Sequence, residues 1–335
     1  MTGRRVTLDD VAALAGVSAI TVSRALRKPQ MVSAEVRARV DAAVHRLGYT
    51  PNPAARLLAT GRSDLIGVVI PSVTNSVFSD VLRGIYERVE DSNFDIQLAN
   101  TRYSPLLEEK ALRRFGSQNP AGLIVTGFDQ SEVSQGLLRS FSCPVIQIME
   151  TGPEPMSTAI GFSHFDAAQA AARHLLDQGY TRLGFLGARM DPRTQRRFAG
   201  FRAASEGAGV YDDRRVVTTQ QASSARMGGA LLAELLSRAP DTDAIFCNND
   251  DLALGALFEA HRRRIRVPEE LGICGFNDLE MMEAAEPQLT SVRTPRHEIG
   301  RRAVQMVLSA SDGNYSPAGS IDLGFEVMAR RSTAR

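Results

Sequence analysis

From Leu65 onward, short apolar runs alternate with amphipathic stretches of helical length, and no other feature of this 335-residue sequence limits its fold so tightly. "LIGVVI", "FDIQLAN", "GLIVTG" and "PVIQIM" form one series, separated by helical stretches such as 77–92 and 105–118. "RLGFLG", "RVVTT", "AIFCN" and "LGICGF" repeat the arrangement further on. A strand that is apolar throughout needs cover on both faces, and helices joining such strands make them parallel. The pattern predicts an α/β architecture of two doubly wound parallel sheets, each of about four to six strands, facing each other across a cleft. Ligands of such folds sit at the carboxyl ends of the strands. No GxGxxG fingerprint opens a helix, and neither a Walker loop nor a G-x-S-x-G elbow is present.

Composition bears on what the rest of the chain does. A chain with 43% apolar and 23% charged residues is an ordinary globular mix. No stretch approaches about 18 consecutive apolar residues, and no apolar segment follows "MTGRR", so a cytoplasmic protein with no membrane partner is expected. Cys143, Cys247 and Cys274 fall in predicted buried strands without C-x-x-C spacing, and the histidines are scattered. That pattern argues for a reducing compartment, with no disulfide framework, no metal site and no cofactor. The charge is uneven: residues 1–62 carry ten Arg or Lys against four Asp or Glu, while the remainder has a surplus of acid. The N-terminal piece therefore has a different partner from the rest.

Residues 6–50 read as three short helices. Thr7 and Asp10 can cap the first, whose Leu8, Val11, Ala12 and Ala15 share a face. Gly16 allows a sharp turn. Ser18 is a natural N-cap for "AITVSRAL", in which Val22 and Leu26 face inward, and Pro29 ends the helix. The third runs from Ser33 to Leu47 with Val36, Val40, Val44 and Leu47 on one stripe, and stops at Gly48. Next, in "TPNPAARLLATGRSD", Asn52 can cap a helix of about two turns, too short to recover its nucleation cost alone. It is a conditional helix or a linker.

Two helices around a Gly turn make a helix-turn-helix, whose second member enters the major groove. The exposed positions expected there are Ala19, Ile20, Thr21, Ser23 and Arg24. Small residues let the backbone approach base edges, the hydroxyls of Ser18, Thr21 and Ser23 can bind phosphates, and Arg24 can reach guanine or phosphate. The alternative is a small solvated helical cap.

At these residues the sequence resembles the lac repressor family of bacterial transcription regulators. "VTLDDVAALAGVSAITVSRAL" and "VSAEVRARVDAAVHRLGYTPNPAARLLATGRSDLIGVVIP" are similar to that family's DNA-binding head, hinge helix and first core strand, in unbroken order. "NDDLALGAL", "VPEELGICGFND" and "PQLTSVRTP" are similar to its effector-domain motifs. "IPSVTNSVF", "IGFSHFDAA" and "LGARMDPRT" look most like the gluconate-repressor branch. The resemblance implies an all-α helix-turn-helix head over 1–50, a hinge over 51–62, and a two-lobed core of the periplasmic-binding-protein type over 63–335. The first lobe would take about 63–162 plus 292–325, the second about 163–291, with the chain crossing three times. A homodimer on a palindromic double-stranded operator is implied; no leucine heptad follows residue 330, which favours the dimer over a tetramer.

Carried over by position, groove-reading falls on Ala19 and Ile20, with Thr21 and Arg24 beside them and Thr7 also counted among the DNA-binding residues; two leading apolar residues would lean on thymine methyls and DNA shape. Leu58 matches the family's minor-groove wedge, with Ala55 packed between paired hinge helices; a buried linker residue is its alternative. In the cleft, the resemblance assigns a small effector, a sugar, sugar phosphate or sugar acid, to Ser72, Asn75, Phe78, Glu150, His164, Arg193, Arg197, Asn249, Asp250 and Asn277. A guanidinium fork suits a carboxylate or phosphate, while amide and carboxylate groups suit sugar hydroxyls. Asn277 replaces an aspartate of several sugar-binding members, which admits an acidic ligand more readily. For Asn75 simple helix capping, for Glu150 and His164 an ordinary strand-end role, and for Arg193, Arg196 and Arg197 a solvated helix face stay open.

The function expected is an effector-switched transcriptional repressor and not an enzyme. A sugar-acid enzyme using the same cleft is the rival, but the cleft lacks a nucleophile and base at motif spacing. A transport-type sugar-binding protein is the other, and it should carry an export signal and no basic head.

Overall fold

A computed structural model describes residues 6–27, 29–50, 61, 63–152, 155–156, 158–311, 313 and 317–335. The head holds α1 (Leu8–Ala15), α2 (Ala19–Arg27) and α3 (Ala34–Leu47). Thr7 and Asp10 close a reciprocal capping box at the start of α1, and Gly16 ends it at φ 65°. Ser33 caps α3, and Gly48 ends it at φ 60°. Val11, Ala12, Ala15, Val22, Ala25, Val40 and Ala43 form the head's small core. Two expectations shift here. Leu26, Val36, Val44 and Leu47 are only half-buried at the core's edge, while Ala25 and Ala43 fill inward places, because close helix crossings favour small side chains over a ridge of long ones.

The first lobe contains β1 (Leu65–Ile70), α4 (Ser76–Val89), β2 (Asp95–Asn100), α5 (Pro105–Gly116), β3 (Gly122–Thr126), α6 (Glu132–Arg139), β4 (Val145–Ile148) and β5 (Thr158–Gly161). The chain then passes into α7 (His164–Asp177), β6 (Leu183–Ala188), α8 (Pro192–Gly207), β7 (Val216–Thr219), α9 (Ala225–Arg238), β8 (Ala244–Cys247), α10 (Asp250–Arg263), β9 (Gly272–Asn277), α11 (Met281–Ala284) and β10 (Thr290–Arg293). It returns through α12 (Arg296–Ser311) and β11 (Gly319–Asp322) to the first lobe, and ends with β12 (Glu326–Met328) in the second. Each sheet has six strands, ordered β11-β5-β4-β3-β1-β2 and β12-β10-β9-β8-β6-β7. All pairings are parallel except β10 with β12.

β10 pairs with β9 over Thr290–Arg293, so Val292 and Arg293 belong to the second sheet, and Glu326–Met328 return to it. The lobe division expected at 291/292 therefore moves two residues along. Cys143 also differs from its expected strand placement: it is buried in the turn before β4, whereas Cys247 and Cys274 lie within β8 and β9.

One apolar cluster runs continuously through both lobes, from Ile66, Ile85 and Val304 by way of Phe162 and Phe276 to Phe185 and Phe246. The helices that cover it approach closely. A Cβ on Gly84 of α4 would overlap the carbonyl oxygen of His297 on α12, and one on Gly300 would overlap that of Val81. In both sheets the strand order reverses next to the first strand of the lobe, at β1/β3 and at β6/β8. The loops leaving those strands face one another, which puts a cleft at two switch points at once. Among the described residues no helix is long and apolar enough to cross a membrane.

Candidate nucleic-acid interface and effector cleft

On the head, α2 begins with a compact polar knot. The Ser18 Oγ accepts from the Thr21 backbone N–H at 3.1 Å, and the two hydroxyls hydrogen-bond each other at 2.8 Å. Ile20 stands 71% exposed, an apolar side chain held in water one turn before exposed Arg24. Ile20 and Arg24 lie four apart and share a helix face. Ala19, Thr21 and Ser23, expected to be exposed, are half-buried, and Ala19 packs on the head's core. Thr7 spends its hydroxyl on Asp10, at 2.7 Å. Asn52, Ala55 and Leu58 lie outside the described residues.

The cleft between the lobes encloses about 630 Å³ of non-atom space, part of it open to solvent. Its wall on the second lobe is built around Arg197 of α8, buried to 8% exposure. Arg197 Nη1 donates to the Asn248 carbonyl at 2.6 Å, its Nε donates to His164 Nδ1 at 3.2 Å, and its guanidinium lies 3.8 Å over the Phe276 ring. His164 Nε2 sits 3.1 Å from the Met149 carbonyl oxygen. A carbonyl only accepts, so Nε2 carries the ring proton and Nδ1 is left as the acceptor Arg197 requires. Burial, and then the three nearby guanidiniums, hold His164 well below the usual histidine range, in keeping with a neutral ring. Burial likewise lowers Arg197, to about 10, which leaves it charged at neutral pH.

Asparagines and one aspartate complete that wall. Asn248 joins the ends of β6 and β8: its Oδ1 accepts from the Ala188 N–H at 3.2 Å, and its Nδ2 donates to the Ala188 carbonyl and to Thr194 Oγ1. Asn249 caps α10 through the Leu252 N–H. Asp250 is wholly buried and accepts from Leu279 N–H at 2.8 Å and Ser291 Oγ at 2.6 Å; burial raises its carboxyl to about 6. Asn277 has its backbone at φ 115° and is 2% exposed, and its Oδ1 has no hydrogen-bond partner. A buried acceptor without a partner carries an uncompensated desolvation cost.

From the first lobe come Asn75, Phe78 and Tyr103. Asn75 both caps α4 and reaches the cleft: Oδ1 accepts from Val77 N–H at 3.0 Å, and Nδ2 donates to the Tyr103 hydroxyl at 3.3 Å. Arg189 and Arg196 tie the lobes across the opening. The Arg189 guanidinium lies 3.9 Å over the Tyr103 ring. Arg196 bridges Asp129 at 3.2 Å and Glu150 at 2.9 Å, and burial, partly offset by Arg196, lifts the Glu150 carboxyl to about 7.

The sequence of the head, residues 7–52, matches the family described as bacterial regulatory proteins, lacI family, and residues 172–333 match the periplasmic binding protein-like domain. An HTH-type transcriptional regulator GntR from Pseudomonas aeruginosa is 41% identical over 329 residues, 98% of this chain and 96% of that protein. The chain belongs to the lacI family of bacterial regulatory proteins. Among solved structures, transcription regulator GntR from Chromobacterium violaceum superposes with a TM-score of 0.78 at 39% identity, covering 81% of this chain and 100% of that one. The lac repressor dimer bound to operator and the anti-inducer ONPF superposes at 0.83 with 26% identity, covering 99% of this chain and 100% of that one.

In this lacI-family chain the cleft is lined by eight of the ten positions named from sequence: Asn75, Phe78, His164, Arg193, Arg197, Asn249, Asp250 and Asn277. Two do not line it. Ser72 instead orders its own loop, its Oγ accepting from the N–H groups of Thr74 and Asn75, and Glu150 lies behind the wall on Arg196. The arginine cluster does not form a solvated face: Arg197 is buried, Arg193 is 14% exposed, and Arg196 spans the lobes. Sequence reasoning missed Asn248, Tyr103 and Arg189. Asn248 and Arg189 directly follow apolar strand runs, and that strand-end position was a usable signal.

Proposed function

We propose that this chain is a dimeric, sequence-specific repressor that grips a palindromic operator with its head and responds to a small sugar acid held between its lobes. The observation that carries the effector half is the pairing of buried Arg197 with the unpartnered Asn277 Oδ1 on one wall. A guanidinium takes an anionic group, and an open acceptor takes a hydroxyl, so the pair asks for a ligand bearing both. The DNA half rests on exposed Ile20 and Arg24, one turn apart on a helix that follows a tight turn, a geometry suited to thymine methyls and phosphate or guanine. The relative solved as a dimer on operator with a bound small molecule supports this division of labour. By resemblance Leu58 is the minor-groove wedge and Ala55 packs between the paired hinge helices, and Asn52 can cap the hinge helix. Effector in the cleft would favour a lobe arrangement that separates the two hinges and lowers operator affinity. The cleft acts here as a sensor, without catalysis.

A chain truncated to begin at Ser63 tests the division. It should lose operator binding and keep its thermal shift with gluconate, while Arg197→Ala in the intact chain should abolish that shift. Loss of both properties on truncation, or an unchanged shift in the arginine variant, would contradict the proposal.

A further inference from the structure

Beside the effector cleft lies a second chamber that the functional reading above leaves unused. This chamber encloses about 740 Å³ of non-atom space and adjoins the first at Tyr103, Asp191 and Arg193, which line both.

Its chemistry differs from that of the first. Glu108, Asp129 and Asp191 line it together with one guanidinium, that of Arg193. An acidic surround of this kind opposes a second carboxylate or a phosphate, while carboxylates accept hydrogen bonds from uncharged hydroxyls. Several lining groups are already satisfied by the protein: Thr126 donates to the Val69 carbonyl, Gln130 to the carbonyls of Thr126 and Gly127, and Asp129 accepts from Arg196. Others retain capacity. The Tyr103 hydroxyl accepts from Asn75 and keeps its own proton to donate. Among the described residues Arg193 makes one ion pair, to Asp191 at 3.7 Å, beyond hydrogen-bond length, so its N–H groups remain for a ligand. Pro71, Pro105 and Pro192 supply flat apolar surface of the kind that packs on the C–H face of a sugar ring.

We infer that the second chamber is a subsite for an uncharged, hydroxyl-rich group joined to the acid in the first, so that the preferred effector is a two-residue sugar acid, a glycosyl aldonate. This rests on the sugar-acid reading of the first chamber. Arg193, at the junction, would meet the ligand from both sides.

Isothermal titration of the intact chain with gluconate, cellobionate and maltobionate tests it. At least one of the two-residue acids should bind about tenfold or more tightly than gluconate. Glu108→Gln, which alters only the second chamber, should erase that gain and leave the gluconate Kd within about twofold; retained gluconate binding also shows that the variant is folded. Gluconate binding with neither longer acid tighter would overturn the second subsite and spare the first reading. A gain that survives both Glu108→Gln and Thr101→Val, Thr101 being another residue that lines the second chamber, would also overturn it, since the extra affinity would then arise elsewhere. If none of the three acids binds, the subsite and the sugar-acid reading fall together.

Discussion

Glu150 shows how one side chain links the lobes to solvent pH. Burial lifts its carboxyl from the ordinary 4.5 to about 7. Between those values the folded chain holds a proton that the unfolded chain has released, so stability is greatest at the acid end of that window and declines as pH rises through about 7. His164 works in the opposite direction, since its neutral buried ring makes acid unfavourable to the fold below the usual histidine range. Glu150→Gln leaves the histidine in place and so isolates the glutamate. Between about pH 5 and pH 7.5, urea titrations should show wild type losing on the order of 1–3 kcal/mol more than the variant. Equal slopes would contradict the assignment. Residue-level chemistry was only partly legible in sequence: Arg197 and His164 stood in a resemblant motif, yet nothing in the linear order says that one nitrogen of His164 must accept from Arg197. Tyr103 was missed because it occupies a left-handed turn, at φ 59°, where no periodic pattern marks a side chain's direction; for Arg189, at φ 63°, the strand-end position was the one signal.

At the scale of elements, the strands were readable because apolar residues on both faces leave few alternatives to a covered parallel sheet. Helix ends were readable where Thr7, Ser18, Ser33, Gly16 and Gly48 supplied capping chemistry. Helix contacts were not. The α4–α12 crossing depends on Gly84 and Gly300, which carry no capping or turn signal and matter only because another backbone lies against them. Gly84→Ala should force those helices apart and cost about 1–3 kcal/mol in chemical denaturation. A loss below about 0.5 kcal/mol would mean that the crossing has slack. The shift of Val292 and Arg293 into the second sheet has a similar origin, since strand pairing with β9 decides membership and residue type does not.

Across the whole molecule, the head has its own small core, and the two lobes share an apolar cluster while meeting over a polar cleft. Three crossings of the chain join the lobes, and the contacts of Arg196 and Arg189 tie them across the cleft. A ligand that prefers one lobe arrangement can therefore bias the segment that leads from Leu65 back to the head. The coupling is reciprocal: whatever factor the effector removes from operator affinity, operator must remove from effector affinity. The most direct measurement is fluorescence anisotropy of the intact chain on a palindromic duplex taken from beside its own gene, at fixed salt, with and without a sugar acid that binds the cleft. The expected result is binding well above that to a scrambled duplex, weakened by the acid. Equal affinity for the palindromic and scrambled duplexes under both conditions would contradict the account.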